Sequence, residues 1–200
     1  MTVWDQLSAR YDTLWVQKYS LRPSRQAIVA HLAHRTAAFS LLDVGCGTGQ
    51  LLCELKAGHP AAALYGIDQS PRMIAAAREK NSTIDYRCVS VQEFATERTF
   101  DILTCCHSFP YYKEQAQVLR QLSMLLQEDG EAIFIQASIN SRYDKWVMSV
   151  VEKTAEKANY LSKQAFCRLA ASYFVVKETY TIKERWFMPT ICVFVLGKKR

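Results

Sequence analysis

Apolar runs of strand length alternate with helical spacing of apolar residues along the first two thirds of the chain. The pattern predicts strands near residues 40–45, 63–68, 84–89, 100–105 and 131–137. It predicts helices near residues 21–35, 49–57, 71–80 and 114–127. Strands that alternate with helices favour the α/β class, in which helices cover both faces of a parallel sheet.

The last third of the chain has a different pattern. Residues 173–182 and 190–196 are two runs rich in β-branched and aromatic residues, without a helical pattern between them. About seven residues separate the two runs, which is too few for a crossover connection. We therefore predict that the two runs pair as an antiparallel hairpin.

Length and composition favour a single globular domain over residues 1–200. Half of the residues are hydrophobic and 22% are charged, as in ordinary soluble proteins. The first eleven residues lack the apolar stretch of a secretory signal, and no apolar run approaches the roughly 20 residues that span a bilayer. The seven cysteines lack CxxC spacing and lie mostly in apolar patterns, which predicts reduced thiols in a cytoplasmic protein.

The net charge of +6 does not by itself indicate a nucleic-acid partner. Part of it comes from the C-terminal Lys198-Lys199-Arg200, which is either a solvated tail or an aid to binding an anionic substrate. The other basic residues are scattered among acids, without the basic stripe and interleaved aromatics of nucleic-acid binders. We expect neither a nucleic-acid nor a membrane partner.

The most specific motif of the chain follows the first predicted strand. An apolar run ends at Asp43, three alternate glycines follow at Gly45, Gly47 and Gly49, and a helical pattern begins at once. Glycine permits a tight turn with positive φ and the close approach of a ligand to the backbone. The G-x-G-x-G spacing matches neither the G-x-G-x-x-G dinucleotide motif nor a phosphate loop, which needs a lysine after the glycines. Because Asp43 would repel a pyrophosphate, the turn favours a nucleoside that carries positive charge.

This segment resembles motif I of the class I S-adenosylmethionine-dependent methyltransferases, and further matching pieces follow in order. Residues 64–68 read as a second strand that ends in Asp68, 19 residues beyond Gly49. A carboxylate at that position can accept hydrogen bonds from both hydroxyls of a ribose. Ser70-Pro71 then opens a helix, with serine as N-cap and proline in the first turn.

Two later segments extend the resemblance. Residues 100–106 resemble the fourth strand of the family, and residues 125–135 resemble its turn and fifth strand, with Asp129 in place of one glycine. The resemblance covers about residues 36–137 in register. It implies a Rossmann-like, seven-stranded and mostly parallel sheet with an antiparallel final strand, and S-adenosylmethionine as the cofactor.

The resemblance also implies a set of cofactor contacts around the glycine turn. Gly45, Cys46 and Gly47 are expected to line the methionine and ribose part of the cofactor. Asp43 is expected to face its ammonium group, directly or through water. Asp68 is expected to bind the ribose hydroxyls.

Four residues are expected near the adenine ring. Gln69 and Met73 would flank the ring, although Met73 also suits the core of its own helix. Ser90 stands where the family has the aspartate that binds the adenine amino group. Val91 could offer its backbone N–H to the ring.

The end of the fourth strand is expected to lie near the sulfonium. Cys105 or Cys106 would supply a backbone carbonyl there. His107 is the candidate general base, because the ordinary pKa of histidine lies near working pH. The alternative is that His107 is a positioning residue with a hydrogen-bonded ring.

Aromatic residues complete the expected site, and we predict no metal in it. Tyr11 lies in a segment that resembles the cofactor-covering N-terminus of the family, and its ring would attract a sulfonium through cation–π contact. Tyr111, Tyr112 and Trp146 are candidates for the pocket of the substrate.

Two segments lie outside the core pattern. Residues 1–36 are expected to form helices that cover the cofactor. Residues 139–160 have the pattern of an amphipathic helix with Trp146, Val150 and Thr154 on one side. That helix suits a lid over the substrate and plain packing on the sheet equally well.

The motifs predict a methyltransferase that moves a methyl group to a nucleophilic atom of a small-molecule acceptor by in-line displacement. A nucleic-acid methylase has less support, because Ser108-Phe109-Pro110-Tyr111 begins too late after the fourth strand and lacks the Asn or Asp and the first proline. A metalloid methylase is supported only by the neighbouring thiols of Cys105 and Cys106. A non-catalytic cofactor-binding protein is the main alternative, and the acceptor and the oligomeric state stay open.

Overall fold

The computed structural model describes residues 4–5, 8, 10–151, 158–182 and 187–199. The strands of these residues are β1 (Ser40–Val44), β2 (Ala63–Asp68), β3 (Asp85–Cys88), β4 (Phe100–Cys106), β5 (Leu126–Ala137), β6 (Phe174–Ile182) and β7 (Ile191–Lys198). Within the described ranges they form one seven-stranded sheet in the order β3-β2-β1-β4-β5-β7-β6. The predicted seven-stranded, mostly parallel sheet is confirmed.

Strand β1 lies where the strand order reverses. It pairs in parallel with β2 on one side and with β4 on the other. The chain first builds outwards to β3 and then returns across β1 to β4 and β5, which are also parallel. Such a reversal opens a crevice at the carboxyl ends of the central strands, where α/β proteins bind their ligands.

The last two strands are antiparallel, as the sequence predicts. Strand β7 is inserted between β5 and β6, with Phe194 opposite Phe134 on one side and opposite Thr179 on the other. Every residue from Ile191 to Gly197 is buried, because β7 is an interior strand with cover on both faces.

Helices cover both faces of the sheet. They are α1 (Arg22–Leu32), α2 (Gln50–Gly58), α3 (Pro71–Lys80), α4 (Gln115–Leu125), α5 (Arg142–Val151) and α6 (Lys163–Ala170). Helix α3 begins with the predicted cap, since the Ser70 hydroxyl oxygen accepts a hydrogen bond from the Met73 N–H at 3.2 Å. Two short helical turns, Tyr11–Thr13 and Gln17–Leu21, precede α1.

The core consists of two hydrophobic clusters, one on each face of the sheet. Alternation along β1 places Leu42 in the cluster that packs against α4 and α6, and Leu41 in the cluster that packs against α1, α2 and α3. The two clusters pack against opposite faces of the sheet and hold its strands, and therefore the strand ends, in position. None of the helices in the described part of the chain has the length and apolar character of a membrane-spanning segment.

The boundaries of β5 and α5 differ from those predicted. Strand β5 begins at Leu126, so Asp129-Gly130 lies inside the strand and not in a turn before it. The pairing with β4 absorbs the irregularity through a register shift between Phe100 and Ile102. The helix predicted over 139–160 is wrong at both ends, because α5 begins at Arg142 and residues 158–160 are not helical.

The sequence pattern did not predict one helix of the structure, and one of its predictions concerns a residue outside the described ranges. Helix α6 was not predicted, although the Ser162 hydroxyl caps it by accepting a hydrogen bond from the Ala165 N–H at 3.2 Å. Thr154 of the predicted lid lies outside the described residues.

Candidate functional site

The glycine turn joins the carboxyl end of β1 to α2. Gly45, Gly47 and Gly49 have φ angles of 75°, 54° and 73°, a region that residues with a Cβ rarely adopt. A Cβ on Gly45 would lie 2.3 Å from Ser108 Cβ, so a side chain there would displace the loop after β4. A Cβ on Gly47 would meet nothing nearer than the Tyr11 ring at 3.8 Å. The backbone of the turn is therefore open on the side that faces Tyr11.

Asp68 lies at the carboxyl end of β2, beside this turn. Its Oδ2 accepts a hydrogen bond from the Gly47 N–H at 3.0 Å, and its Oδ1 accepts one from the Ser70 N–H at 2.9 Å. Burial raises the pKa of Asp68, and the two N–H groups only partly offset that effect. Because each carboxylate oxygen can accept a further hydrogen bond, both oxygens remain able to bind hydroxyl groups.

A cleft with an empty volume of about 690 Å³, open solvent included, lies at this edge of the sheet, and we call it the main cleft. Most of the predicted site residues line it: Tyr11, Gly45, Gly47, Asp68, Gln69, Met73, Ser90, Val91, Cys106, His107, Tyr111 and Tyr112. Sequence reasoning missed the other lining residues: Trp4, Ile67, Val89, Gln92 and Ser108. Ile67, Val89 and Gln92 adjoin predicted residues in the sequence, whereas no pattern pointed to Trp4.

A second, smaller cavity of about 390 Å³ adjoins the main cleft, and we call it the side cavity. The two share Tyr11, Gly45, Gly47 and Cys106, so the glycine turn and Tyr11 stand between them. The predicted residues Asp43 and Cys46 line the side cavity and not the main cleft. Arg25 and Thr48, which the sequence did not single out, line it as well.

The side cavity holds charges of both signs. Asp43 is buried, and its Oδ1 accepts a hydrogen bond from the Thr104 hydroxyl at 2.7 Å. Burial raises the pKa of Asp43 to about 7, with a further contribution from Asp68. Arg25 reaches the cavity from α1 and donates to Glu54 Oε1 and to Gln17 Oε1, each at 2.9 Å. The cavity can therefore accommodate a cationic group beside Asp43 and an anionic group beside Arg25.

Two predicted site residues line neither cavity. The Cys105 side chain is buried on the other face of β4, where its Sγ lies 3.1 Å from Ser108 Oγ, and burial raises its pKa to about 12. Trp146 projects from α5 with 64% of its surface exposed. Among the described residues, no group of three or more His, Cys, Asp or Glu side chains is placed to hold a metal ion.

The chain before α1 contributes Trp4 and Tyr11 to the lining of the main cleft and is tied to neighbouring elements. Asp12 accepts a hydrogen bond from the Thr48 hydroxyl at 2.7 Å and forms an ion pair with Lys80 on α3. Asp5 accepts a hydrogen bond from the Ser70 hydroxyl at 2.6 Å. Trp4 packs edge-on against the Tyr111 ring at 5.0 Å. These contacts hold Tyr11 and Trp4 in the lining of the main cleft.

His107 follows β4 directly and has an unusual backbone conformation. Its φ is 63°, the only positive value of a non-glycine residue in the described chain, and its N–H donates to the Ile135 carbonyl at 2.7 Å. Its Nε2 lies 2.8 Å from the Ser24 hydroxyl oxygen on α1. Burial, with a contribution from the Arg25 charge, lowers the pKa of His107 to about 4. The ring is therefore neutral at physiological pH and is held by a hydrogen bond.

Another part of the main cleft, lined by Met73, Ser90 and Val91, combines an apolar side chain with a backbone N–H group. Met73 is buried beneath it and lines its wall. The Ser90 hydroxyl donates its proton to Glu93 Oε2 at 2.7 Å, so it has no second proton to donate to a ligand. The Val91 N–H makes no hydrogen bond to any described residue and remains available. A planar ring with an acceptor nitrogen at its edge would suit this part of the cleft.

Two tyrosines form the opposite wall of the main cleft, beside His107. The Tyr111 hydroxyl lies 3.1 Å from the Tyr160 hydroxyl, which ties the loop after β4 to the segment before α6. Tyr112 is partly buried, and the burial of its hydroxyl raises the pKa of that group well above the ordinary value. The Tyr112 hydroxyl therefore stays neutral.

Comparison with known proteins agrees with this geometry. A family model described as a methyltransferase domain matches residues 42–132, which include the glycine turn, Asp68 and β4. The ubiquinone biosynthesis O-methyltransferase of Histophilus somni is 28% identical over 143 residues, which are 66% of this chain and 58% of that protein. The enzyme of the same name from Rhodopseudomonas palustris is 31% identical over 115 residues, or 56% and 44% of the two chains. The chain thus spans less than two thirds of the length of these relatives.

Solved structures share the fold over nearly the whole chain. An S-adenosylmethionine-dependent methyltransferase from Thermotoga maritima has a TM-score of 0.77 at 16% identity, covering 98% of each chain. The plantazolicin methyltransferase BpumL, solved with a desmethylPZN analog and S-adenosylhomocysteine, has a TM-score of 0.71 at 17% identity, covering 98% of this chain and 90% of BpumL. The domain match, the strand order and the glycine turn agree: residues 42–132 match the methyltransferase domain family, and the chain has the fold of the S-adenosylmethionine-dependent methyltransferases among the solved structures.

Proposed function

We propose that this protein transfers a methyl group from S-adenosylmethionine to a hydroxyl group of a small-molecule acceptor. The observation that carries the proposal is the glycine turn that lines two adjoining cavities, with Asp68 in the lining of the main cleft and Asp43 in that of the side cavity. A nucleoside with a charged amino-acid tail has the length and the polarity to occupy both.

The residues present fit each part of that cofactor. Val91 N–H and the apolar side of Met73 suit the adenine, and the Asp68 oxygens suit the ribose hydroxyls. In the side cavity, Asp43 suits the ammonium group, and Arg25 uses only part of its five N–H donors on Glu54 and Gln17, so it can still bind a carboxylate.

The chain's own contribution to the reaction is position and the exclusion of water. When bound, the cofactor supplies a methyl group that its sulfonium has already activated towards a nucleophile. Trp4, Tyr11 and Tyr111 close the main cleft above the acceptor, and the neutral hydroxyl of Tyr112 adds no charge to its wall. Enclosure of this kind orients the acceptor and keeps water from competing with it.

A hydroxyl acceptor is favoured by the relatives and by the chemistry of His107. The two curated relatives described above are named ubiquinone biosynthesis O-methyltransferases. A hydroxyl oxygen that gains a methyl group becomes strongly acidic, so the weakly basic ring of His107, with its pKa of about 4, is able to accept the proton. A methylated amine would hold its proton too firmly for this ring. His107 then returns the proton to solvent readily, for the same reason.

The alternative is a protein that binds the cofactor without turnover. We also propose a cytoplasmic location, because all seven cysteines are free, which suits a reducing compartment.

Two measurements on the purified protein distinguish the proposed function from the non-catalytic alternative. Isothermal titration with S-adenosylhomocysteine should give a dissociation constant in the range of about 1–100 µM.

The second measurement is turnover. Purified protein with S-adenosylmethionine is incubated with catechol and other phenols, each paired with an analogue whose hydroxyls are all methylated, and S-adenosylhomocysteine is quantified. Product formation only with the free phenols supports the proposal. Tight binding without turnover on any acceptor favours the non-catalytic alternative, and an absence of binding contradicts both.

A further inference from the structure

We propose that Ser24 is a positioning residue that holds the His107 ring in the tautomer with its proton on Nε2, so that Nδ1 presents its lone pair to the main cleft. The inference rests on the proposed methyl transfer only for the use made of that lone pair. The tautomer itself is a property of the free protein.

The hydroxyl of Ser24 decides the tautomer. Its oxygen lies 2.8 Å from the Ser20 carbonyl oxygen, one turn earlier, and 2.8 Å from His107 Nε2. A carbonyl can only accept, and a serine hydroxyl has one proton to give. That proton therefore goes to Ser20, and the Ser24 oxygen must accept the second hydrogen bond from a proton on Nε2. No other assignment satisfies both contacts.

The surroundings of Ser24 keep this arrangement in place. Ser24 lies in the first turn of α1 with none of its surface exposed, so water does not compete for its hydroxyl. Bonding of a serine to the carbonyl four residues earlier is a common arrangement in helices. The acceptor oxygen is thus fixed in direction before the His107 ring is added.

The other ring nitrogen of His107 points to a different environment. Nδ1 has no hydrogen-bond partner among the described residues, and it is also absent from the buried polar atoms that lack one, which belong to Tyr86, Gln136 and Ser138. Nδ1 is therefore accessible, and His107 lines the main cleft. The free lone pair of the ring lies on the accessible side.

His107 is held from two sides, through its backbone and through its ring. A φ of 63° is unfavourable for histidine and persists only where the surroundings determine it. Two bonds from opposite sides do so here: the His107 N–H to the Ile135 carbonyl on β5, and Nε2–H to Ser24 on α1. The strained residue thus bridges the sheet and the helix that covers it.

The tautomer restricts the class of acceptor. With the lone pair on Nδ1, the ring accepts a hydrogen bond from an acceptor that carries hydrogen on its nucleophilic atom, such as a hydroxyl. As the O–H bond breaks, the proton forms a new bond to Nδ1, and the ring becomes an imidazolium with protons on both nitrogens. Release of the Nδ1 proton to solvent restores the starting tautomer, because Ser24 continues to hold the proton on Nε2.

The test is nitrogen NMR of the imidazole rings in protein labelled with ¹⁵N. The chain has only four histidines, so the spectrum contains few imidazole signals. The signals that disappear in His107→Asn are those of His107. At neutral pH, we expect wild-type Nε2 to have the shift of a protonated nitrogen and Nδ1 that of a bare one. The reverse pattern, or a rapid average of the two forms, overturns the inference.

Ser24→Ala tests the residue that is held responsible. It removes the acceptor oxygen, and the His107 signals should move to an average of both tautomers, while Ser20→Ala keeps its backbone carbonyl and should leave them unchanged. An unchanged Nε2–H form in Ser24→Ala overturns the role of Ser24. Titration with S-adenosylhomocysteine is run on the same samples: lack of binding contradicts the proposed function and leaves the tautomer result as it stands.

Discussion

Asp68 and Gly47 are joined by a hydrogen bond of 3.0 Å from the backbone N–H of Gly47 to Asp68 Oδ2. The bond fixes the carboxylate at the end of β2 relative to the turn after β1, although the two residues belong to different strand–helix connections. The proposed ribose site is therefore in place before a ligand arrives, and binding costs little reordering of the chain.

Replacement of Asp68 should weaken the binding of S-adenosylhomocysteine. In Asp68→Asn the charge is lost and one acceptor becomes a donor, so we expect an affinity about 10- to 100-fold lower, since a hydrogen bond to a charged group contributes about 1.5–3 kcal/mol. Isothermal titration measures the change. Asp101→Asn is the matched control, because Asp101 Oδ2 also accepts a backbone N–H, that of Ser40, away from both cavities. Equal effects of the two variants would contradict the ribose assignment.

A side chain at Gly45 should destabilise the fold. Gly45→Ala combines an unfavourable positive φ with a contact of 2.3 Å to Ser108 Cβ. Together these should lower the free energy of unfolding by about 2–4 kcal/mol, as measured by urea denaturation. Gly58→Ala is the control, because a Cβ there meets nothing within 4 Å and alanine favours the helix. A Gly45→Ala variant as stable as the control would mean that the turn does not need glycine.

Cofactor binding should be coupled to proton release at Asp43. Burial holds the pKa of Asp43 near 7 in the free protein, and an ammonium group beside it favours the ionised form. Affinity for S-adenosylhomocysteine should then be full above pH 7 and fall about tenfold between pH 8 and pH 6. Titration in buffers of different ionisation enthalpy measures the released proton. Asp43→Asn should abolish the pH dependence, and its persistence in that variant would assign it to another group.

His107 should make the fold less stable in acid. The pKa of His107 is lowered to about 4 in the folded chain. Between about pH 6.5 and pH 4, the His107 ring therefore binds a proton in the unfolded chain but not in the folded chain. The free energy of unfolding should fall through this window by about 1–3 kcal/mol on account of His107. Asp43, whose pKa is raised, acts in the opposite direction, so the comparison must be between wild type and His107→Asn.

Urea denaturation at several pH values gives that comparison. His107→Asn should decline less than wild type on acidification, and asparagine tolerates the positive φ of the site. His34→Asn, at an exposed histidine, should follow wild type. Parallel curves for wild type and His107→Asn would show that the ring is not held neutral by its surroundings.

The sequence predicted the sheet and the residues near the strand ends because both depend on local patterns. The apolar run before Asp43, the glycines after it and the Ser70-Pro71 cap all act within a few residues of each other. In a doubly wound sheet, the carboxyl ends of neighbouring parallel strands meet, so a residue at the end of β2 lies beside the turn after β1. Asp68 could be located on that rule alone.

Contacts between distant segments could not be predicted in this way. The Ser24 hydroxyl meets a ring 83 residues later in the chain, and Arg25 lines the side cavity from α1, which packs on the face of the sheet that carries Leu41. No local pattern distinguishes these residues from others in an amphipathic helix. The same limit explains Trp146, whose helix was predicted but whose outward direction depends on how α5 packs.

Tyr11 is part of the wall of both cavities, and the chain on either side of it is fastened by Asp5 and Asp12. A long ligand that filled both cavities would lie against this tyrosine. On the proposed function, we expect release of the used cofactor to require the Asp12 contacts to Thr48 and Lys80 to open. If the proposed function is correct, we therefore expect the opening of these contacts to limit the turnover rate when it is slower than the chemical step.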